Sequence, residues 1–381
     1  MGCESKTPSA CGKALFLLPM RNQPRLLYTV LNWGLGHATR SMPVIEALLA
    51  SGAEVILAGE GDSLKLLADT FPLLPAEEVK GINISYPVSE SLAVAMVKQA
   101  PAILRAIRSE QEQFENLVSK YLPDALISDN RYGAYSSRIP SVLLCHQLRL
   151  KTPLQNSLAE EVLFRFYKPL LKPFQQYWVP DAEGADNLTG DLSHHATAVT
   201  SLRPQYMGVI SRMANVPTAD IPNRYDILVI ISGPEPQRSA FESSVKAQLI
   251  GRPESVLIVQ GQPQLSVHLQ EGNITSCSHL PAAELKHHLL TAGTIISRSG
   301  HSTLMDLCAV QRSAICIPTP GQTEQEYLAE MHAEKGRIIT QSQQQMDLGK
   351  ALSLTAGLKP FQLPVNEGIK ATIDSFLSGL Q

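Results

Sequence analysis

The sequence lacks the features that define several classes of protein. It has no run of about 18 apolar residues, so no transmembrane helix is predicted. Its formal net charge is only -3, which excludes the clustered basic surface of a nucleic-acid-binding protein. A C-x-x-C pair, a P-loop and a G-x-S-x-G turn are all missing, and the histidine pairs at 194–195 and 287–288 lack metal-ligand spacing. We therefore predict no metal site and no nucleophilic serine of the hydrolase type.

Cysteine is also scarce, and its spacing suggests no disulfide framework. The six cysteines are Cys3, Cys11, Cys145, Cys277, Cys308 and Cys316. Three of them lie in apolar strand or helix patterns, so we expect reduced thiols and a cytoplasmic protein. Residues 1–24 are predicted to be a disordered leader, and a translation start at Met20 is left open. Myristoylation is not expected, because neither Ser nor Thr stands at position 6.

What is present is an alternation of buried strands and helices. At 381 residues the chain is long enough for two domains. Continuous apolar strands separated by helices predict parallel sheets covered on both faces. The fold class is therefore α/β, with two Rossmann-like doubly wound domains facing a cleft. The predicted boundaries are 25–205 for the N-terminal domain, 206–224 for a proline-containing linker, 225–358 for the C-terminal domain and 359–381 for a last helix.

The most informative segment is 296–307, where a buried strand ends, a polar turn follows and a helix begins. Such a turn directs backbone N–H groups and the positive end of the helix at one point, which suits a diphosphate. Asp306 lies one helical turn beyond Ser302, within reach of a ribose hydroxyl. The turn Gly34-Leu35-Gly36-His37 opens a helix near the other end of the chain in the same way.

His37 is the predicted general base, because a helix N-terminus lowers the pKa of an imidazole and favours its neutral form. Arg40 lies one turn further and could hold an anionic acceptor or phosphate. NAD binding is not favoured, since Thr39 replaces the third glycine of the dinucleotide fingerprint. A purely structural turn is the alternative.

Other polar segments also follow strands and are expected at the cleft. They are 129–133 with Asp129 and Asn130, 145–147 with His146, 232–238 with Gly233, Gln237 and Arg238, and 319–327 with Gln322, Gln325 and Glu326. Ordinary turn and capping chemistry is the alternative for each. Residues 162–174 interleave aromatic and basic side chains, and a core-facing helix is favoured there over contact with a membrane or a lipid acceptor.

Residues 297–327 resemble the nucleotide-sugar half of the GT-B glycosyltransferases, and most closely the family 28 C-terminal domain of the peptidoglycan N-acetylglucosaminyltransferase group. The shared pattern is a Ser-Arg-x-Gly-x-Ser-Thr turn, an acidic residue three positions after the Thr, a strand ending in Pro and a Gln-x-Tyr-containing helix. The turn at 34–37 similarly matches the glycine-rich loop of the acceptor-side domain. The resemblance covers both halves of the chain.

The resemblance implies a hexosyltransferase that moves a sugar from a UDP-sugar to an acceptor hydroxyl with inversion, without a metal or another cofactor. His37 and Asp129 form the predicted catalytic group. The substrate-binding residues predicted from the turns and the resemblance together are Gly34, Gly36, Arg40, Asn130, Gly233, Gln237, Arg238, Arg298, Ser299, Gly300, His301, Ser302, Thr303, Asp306, Gln322, Gln325 and Glu326. Of these, Gly300–Thr303 would meet the diphosphate, Asp306 the ribose, and Gln325 and Glu326 the donor sugar.

Other functions remain open at this stage. A UDP-sugar hydrolase of nonulosonate biosynthesis shares the motif Gly-x-Gly-His-x-x-Arg, which residues 34–40 fit. A non-catalytic sugar-nucleotide-binding protein and a non-hydrolysing epimerase are further alternatives. The expected partners are a nucleotide-sugar donor and a lipid-linked or small-molecule acceptor, with no nucleic acid. Peripheral contact at the inner face of the membrane is left open, as is the oligomeric state.

Overall fold

The computed structural model describes residues 23–81, 92–152, 156–194, 197–222 and 224–380, with the backbone alone for 92–98. Cys3, Cys11 and Met20 of the predicted leader lie outside these ranges, as does Ser89, where a helix is predicted to start. Two seven-stranded sheets with helices between their strands make up the described chain. The predicted α/β class with two Rossmann-like halves is therefore confirmed.

The first half contains a wholly parallel sheet in the strand order β3-β2-β1-β4-β5-β6-β7. Its elements are β1 (Arg25–Val30), α1 (Gly36–Ala50), β2 (Glu54–Gly59), α2 (Gly61–Thr70), β3 (Ala76–Glu78), α3 (Leu92–Tyr121), β4 (Ala125–Asp129), β5 (Ser141–Leu144), α4 (Ser157–Leu171), β6 (Gln176–Val179), α5 (Thr197–Thr200) and β7 (Gln205–Tyr206). Strands β4 and β5 are buried along their whole length, as expected for central strands covered on both faces.

The second half contains a sheet in the order β10-β11-β9-β8-β12-β13-β14, in which only the β10–β11 pair is antiparallel. Its elements are β8 (Ile227–Ile230), α6 (Gln237–Leu249), β9 (Val256–Val259), β10 (His268–Glu271), β11 (Ile274–Cys277), α7 (Ala282–Thr291), β12 (Thr294–Ser297), α8 (His301–Ala309), β13 (Ala314–Cys316), α9 (Thr323–Glu334), β14 (Ile338–Thr340), α10 (Leu348–Ser353) and α11 (Ile369–Ser378).

Sequence patterns missed the short strands outside the central parallel core. β3, β7, β10, β11 and β14 have two to four residues each and carry no long apolar run. Pro101 lies inside α3, which continues through it without being split.

The segment predicted as a linker is partly buried structure. Tyr206 belongs to β7, and Met207, Val209 and Ile210 are fully buried. The returning chain lies beside it, where the Asn366 backbone N–H donates to Val209 O at 2.8 Å. The last helix, α11, then packs on the first half, where the Phe376 ring meets the Trp178 ring edge-on at 5.3 Å. The chain therefore connects the two halves twice, through adjacent segments.

Candidate active site between the two halves

Parallel strands bring three functional loops of the first half to one edge of the sheet. β1, β4 and β5 are neighbours, and their carboxyl ends lead to His37, Asp129 and His146. Ligands of doubly wound sheets bind at this edge. Gly34 has a φ of +68°, which lets the chain turn sharply from β1 into α1. The fold therefore brings His37 into contact with Asp129, about 90 residues away in the sequence, and Arg40 into contact with His146, about 110 residues away.

The predicted catalytic residues His37 and Asp129 touch each other. Nδ1 of His37 lies 2.8 Å from Oδ1 of Asp129. Arg40 Nε donates to Oδ2 of the same carboxylate at 2.8 Å, and a second guanidinium nitrogen contacts Oδ1. Ser41 Oγ adds a hydrogen bond at 3.1 Å. Asp129 and Arg40 are both buried, so their opposite charges and these hydrogen bonds offset the cost of removing them from water.

These contacts determine the protonation states of Asp129 and His37. Burial alone would raise the pKa of Asp129, but Arg40 and His37 outweigh it and hold that pKa well below its usual range. Burial, followed by Arg40, lowers the pKa of His37, and Asp129 opposes them. An ionised Asp129 accepts a hydrogen bond from the Nδ1–H group of a neutral His37, which leaves Nε2 able to accept a proton. Arg40 Nη2 also lies 2.8 Å from Nδ1, but in this tautomer that approach is not a hydrogen bond.

The two halves meet directly beside this group. A β-carbon added at Gly36 would lie 2.6 Å from Ser302 Oγ, so the first turns of α1 and α8 face each other closely. His146 Nε2 of the first half lies 2.9 Å from Glu324 Oε1 of α9. The predicted acceptor-side and donor-side turns therefore share one cleft.

His301 is the most unusual side chain of the donor-side turn. Its ring stacks on that of His146, with centroids 4.1 Å apart and planes inclined by 3°. It is 3% exposed, and neither ring nitrogen has a hydrogen-bond partner among the described residues. Burial, followed by the nearby His146 and Arg40, lowers its pKa well below the ordinary value. Buried polar groups without a partner are rare, and His301 stands where the sequence predicts a substrate contact.

The rest of this turn suits an anion. Gly300 precedes α8 in an extended conformation, and no side chain caps the helix start. Ser302 and Thr303 follow in the first turn and are half-buried. Backbone N–H groups and hydroxyls therefore surround the positive end of the helix, as a phosphate site requires.

Two other residues of the turn are engaged inside the protein. Arg298 is 1% exposed and donates to the backbone oxygens of Ile317, Pro318 and Gln237. Its guanidinium lies 4.0 Å from the centre of the Phe241 ring. The structure thus gives Arg298 an internal packing role, and its predicted substrate contact stays a prediction. Ser299 is likewise buried, and its Oγ donates to Gln325 O at 2.8 Å.

Asn130 and Asp306 also use side-chain oxygens within the protein. Asn130 has a φ of +60°, and its Oδ1 accepts from Tyr132 at 3.1 Å, which turns it towards α4. Asp306 Oδ1 accepts from Ser211 Oγ of the connecting segment at 2.6 Å. Burial raises the pKa of Asp306 despite this bond and the nearby Arg212. Substrate binding by either residue stays a prediction.

The loop that follows β8 is held mainly by its own charges. Arg238 pairs with Glu235, donates to Gln260 O at 3.4 Å and is 9% exposed. Gly233 is exposed with a φ of +102°, and Gln237 is half-buried at the start of α6. The Arg238 guanidinium therefore has protein partners, whereas Gly233 stays accessible, and substrate binding by either residue stays a prediction.

The α9 residues predicted to hold the donor sugar are likewise partly engaged. Gln325 Oε1 accepts from Thr319 N, and Glu326 Oε1 accepts from Gly321 N, both at 2.9 Å. Glu326 also lines a cavity of about 420 Å³ beside β14. Gln322 is half-buried and precedes α9 without a side-chain cap bond. Sugar contact through the remaining polar atoms stays a prediction.

Glu324 is a residue of the cleft that sequence reasoning missed. It stands in the first turn of a helix, where acidic residues are common because they complement the helix dipole. Burial would raise its pKa, but His146, His37 and Arg40 together lower it. Only the folded structure shows that it reaches across the cleft, although its position directly after a strand-end loop was a usable signal.

Among the described residues, no group of three or more His, Cys, Asp or Glu side chains is arranged to hold a metal ion. No helix in the same part of the chain is long and apolar enough to cross a membrane. Cys145, Cys277, Cys308 and Cys316 are free and buried.

Comparisons with known proteins agree with this architecture. Residues 255–363 match the glycosyltransferase family 28 C-terminal domain. A UDP-N-acetylglucosamine–N-acetylmuramyl-(pentapeptide) pyrophosphoryl-undecaprenol N-acetylglucosamine transferase of Methylorubrum populi is 25% identical over 309 residues, 77% of each chain. An uncharacterized glycosyltransferase of Methanosarcina mazei is 19% identical over 332 residues, covering 82% of this chain and 84% of that protein.

Solved structures show the same fold. The glycotransferase of kitacinnamycin superposes with a TM-score of 0.65 at 14% identity, covering 95% of this chain and all (100%) of that one. MurG of Acinetobacter baumannii gives 0.52 at 13% identity, with 93% and 100% covered. The chain is a GT-B glycosyltransferase. Within that class it resembles the MurG-type enzymes. The hydrolase and non-catalytic alternatives are not favoured.

Proposed function

We propose that this enzyme transfers a sugar from a nucleotide-diphosphate donor, a UDP-sugar, to an acceptor hydroxyl without a metal ion, with His37 as the base. The observation that carries the proposal is the 2.8 Å contact between His37 and Asp129, which faces the start of α8 across the cleft. The UDP-N-acetylglucosamine named for the Methylorubrum relative supports the choice of nucleotide.

The chemistry follows from the protonation state of the group. The acceptor hydroxyl attacks the anomeric carbon of the donor and gives its proton to Nε2 of His37. Asp129 stabilises the resulting imidazolium, as the carboxylate does in other His–Asp pairs. The bond from the anomeric carbon to the diphosphate breaks on the opposite face, so the configuration inverts. The N–H groups at the start of α8, with Ser302 and Thr303, stabilise the departing diphosphate.

The outer face of α4 supports an acceptor at a membrane surface. Leu158, Val162 and Phe166 recur every four residues and are 78%, 54% and 77% exposed. Exposed Arg165 and Lys168 flank them. An apolar stripe bordered by basic side chains binds the interface of an anionic bilayer. The inner face of α4 packs on the loop that carries His146, since Tyr167 Oη donates to Gln147 O at 3.1 Å.

Vesicle sedimentation tests the membrane part of the proposal. We expect binding to vesicles rich in phosphatidylglycerol, weaker binding to pure phosphatidylcholine, and loss of binding in Phe166→Ser. Leu354→Ser is the matched control, because Leu354 is a 54% exposed apolar residue in the second half of the chain. Equal binding by wild type and Phe166→Ser would contradict a docking role for α4.

A thermal-shift comparison of UDP, dTDP and NAD tests the donor class. A ligand that binds only the folded state raises the melting temperature by mass action. We expect a shift with UDP and none with NAD. A shift with dTDP alone would keep the glycosyltransferase and overturn the UDP assignment.

Turnover of UDP-sugars by His37→Ala tests the base. We expect a loss of about 10² to 10⁴ in kcat, with the UDP-induced thermal shift retained. Unchanged turnover in His37→Ala would refute the base. Rapid release of free sugar with no acceptor present would indicate hydrolysis in place of transfer.

A further inference from the structure

We propose that His146 is a positioning residue that ties the donor-binding half to the catalytic group of the other half. This inference rests on the proposed function and adds to it how closure of the cleft acts on the base. His146 belongs to a chain of contacts that runs from Glu324 through His146 and Arg40 to Asp129 and His37.

One tautomer of His146 allows a donor to face an acceptor at each of its two hydrogen bonds. Arg40 Nη1 lies 3.1 Å from Nδ1 of His146, and because a guanidinium only donates, Nδ1 must accept. Nε2 then carries the proton and donates to Glu324 Oε1 at 2.9 Å. This tautomer of His146 therefore makes hydrogen bonds to both halves at once.

His146 contacts residues of both halves of the protein. From the first half it faces Arg40, which holds Asp129 through a second nitrogen. From the second half it meets Glu324 and the flat face of His301. It is 6% exposed, so water competes little for these bonds. The orientation of Arg40, and through it of Asp129 and His37, thus depends on a contact that exists only when the halves meet.

We therefore expect His146 to affect the rate of turnover and not the binding of the donor. When Glu324 moves away with the donor half, His146 loses its fixed orientation and Arg40 loses one partner. The base is then less well placed, and misplacement by about 1 Å can cost about 10²-fold in rate. Donor binding at α8 uses other groups and does not require this chain of contacts.

Two substitutions each keep one end of the connection. His146→Asn retains an oxygen near the Nδ1 position that can accept from Arg40, but it falls short of Glu324. His146→Gln retains an amide N–H near the Nε2 position that can donate to Glu324, but it loses Arg40. We expect both to lower kcat by about 10- to 100-fold, with little change in UDP affinity by calorimetry. We also expect a higher ratio of donor hydrolysis to transfer, since water enters a loosely closed cleft.

Substitutions at Glu324 repeat the test from the other half. Glu324→Gln keeps an oxygen that accepts from His146 and should retain most of the activity, whereas Glu324→Ala should match the His146 variants. Should a His146 variant fail to fold, this pair carries the test alone.

The matched control is His332→Gln. His332 is also buried and also crosses between the halves, with Nε2 2.9 Å from Leu188 O, but it does not contact Arg40. It should leave kcat and the hydrolysis ratio unchanged. A loss in His332→Gln equal to that of the His146 variants would overturn the inference, because any contact between the halves would then serve.

The remaining outcomes separate the two proposals. Wild-type activity in His146→Asn would reduce His146 to a support for Arg40, and wild-type activity in His146→Gln would reduce it to a support for Glu324. Either result overturns the inference and leaves the proposed function intact. A wild-type enzyme that turns over no UDP- or dTDP-sugar, with or without acceptor, would refute the proposed function and this inference together.

Discussion

The starts of α1 and α8 are alike in sequence and opposite in chemistry. Each follows a buried strand and places a histidine directly after a glycine, as Gly36-His37 and Gly300-His301. His37 is bound to Asp129 and surrounded by charge, whereas both nitrogens of His301 lack a partner among the described residues. Burial lowers the pKa of each.

The comparison shows that a local motif does not define the role of its histidine. A carboxylate on one ring nitrogen fixes the tautomer and prepares the other nitrogen to take a proton. An imidazole without such a partner is better suited to offer its N–H to an incoming oxygen anion. The residue that separates the two roles is Asp129, which lies about 90 positions away along the chain.

Asp129→Asn removes the charge that distinguishes the surroundings of His37 from those of His301. We expect it to cause the largest loss of activity. We expect kcat to fall by about 10² to 10⁴, as in other His–Asp pairs that lose the charge. Stability should also fall by about 3–5 kcal/mol, because a buried Arg40 is left without its ion-pair partner. Steady-state kinetics and urea unfolding measure the two losses.

A second buried carboxylate provides the control for Asp129. Glu110 is 1% exposed and pairs with Arg131 at 2.7 Å. Glu110→Gln should therefore lose comparable stability and keep its turnover. Equal loss of turnover in both variants would show that Asp129 acts through folding and not through His37.

Gly36→Ala should push the two helix starts apart. The new methyl group would lie 2.6 Å from Ser302 Oγ, which real contacts do not allow. We expect kcat to fall by about 10- to 100-fold through misplacement. Gly36→Ala combined with Ser302→Gly removes the clash and should recover part of the rate, and Gly357→Ala, with no neighbour within 4 Å, is the neutral control. Failure of the double variant to exceed the single one would contradict the clash.

His301→Ala should act on binding more than on rate. Loss of one hydrogen bond to a charged ligand corresponds to about 10-fold weaker UDP binding by calorimetry. The exposed His268 of β10 gives the control substitution His268→Ala, which should bind UDP normally. Unchanged UDP affinity in His301→Ala would contradict a ligand-binding role for His301.

The smallest effect concerns pH. Because the folded pKa of His37 is lowered from 6.5, the base stays unprotonated to a pH below that value. The rate should therefore be lost only as pH falls through this lowered pKa. Protonation of His301 should not contribute to the pH dependence of UDP binding between about pH 6 and 8, because burial lowers the pKa of His301 well below its ordinary value. An acidic limb of kcat/KM above pH 7 would contradict the depressed pKa of the base.

The sequence was sufficient for the long buried strands, their helices and both glycine turns. It was insufficient wherever a contact joins distant segments. Arg298 belongs to the same motif as His301, yet the fold places its guanidinium against backbone oxygens. In the sequence, Glu324 resembles an ordinary acidic residue at the start of a helix. Only the fold places it against His146, which follows β5. Short edge strands such as β10 carry no apolar pattern, because their side chains stay in water.

The paired connections between the halves have a mechanical consequence. Val209 bridges to Val365, and Asn366 Nδ2 donates to Ser211 O at 2.9 Å, so the two crossings are joined side by side. A single connecting segment would allow the halves to rotate about several axes, whereas two segments joined by a bridge and hydrogen bonds favour rotation about one axis. Opening for product release should therefore follow one hinge path, along which α1 and α8 separate and return in register.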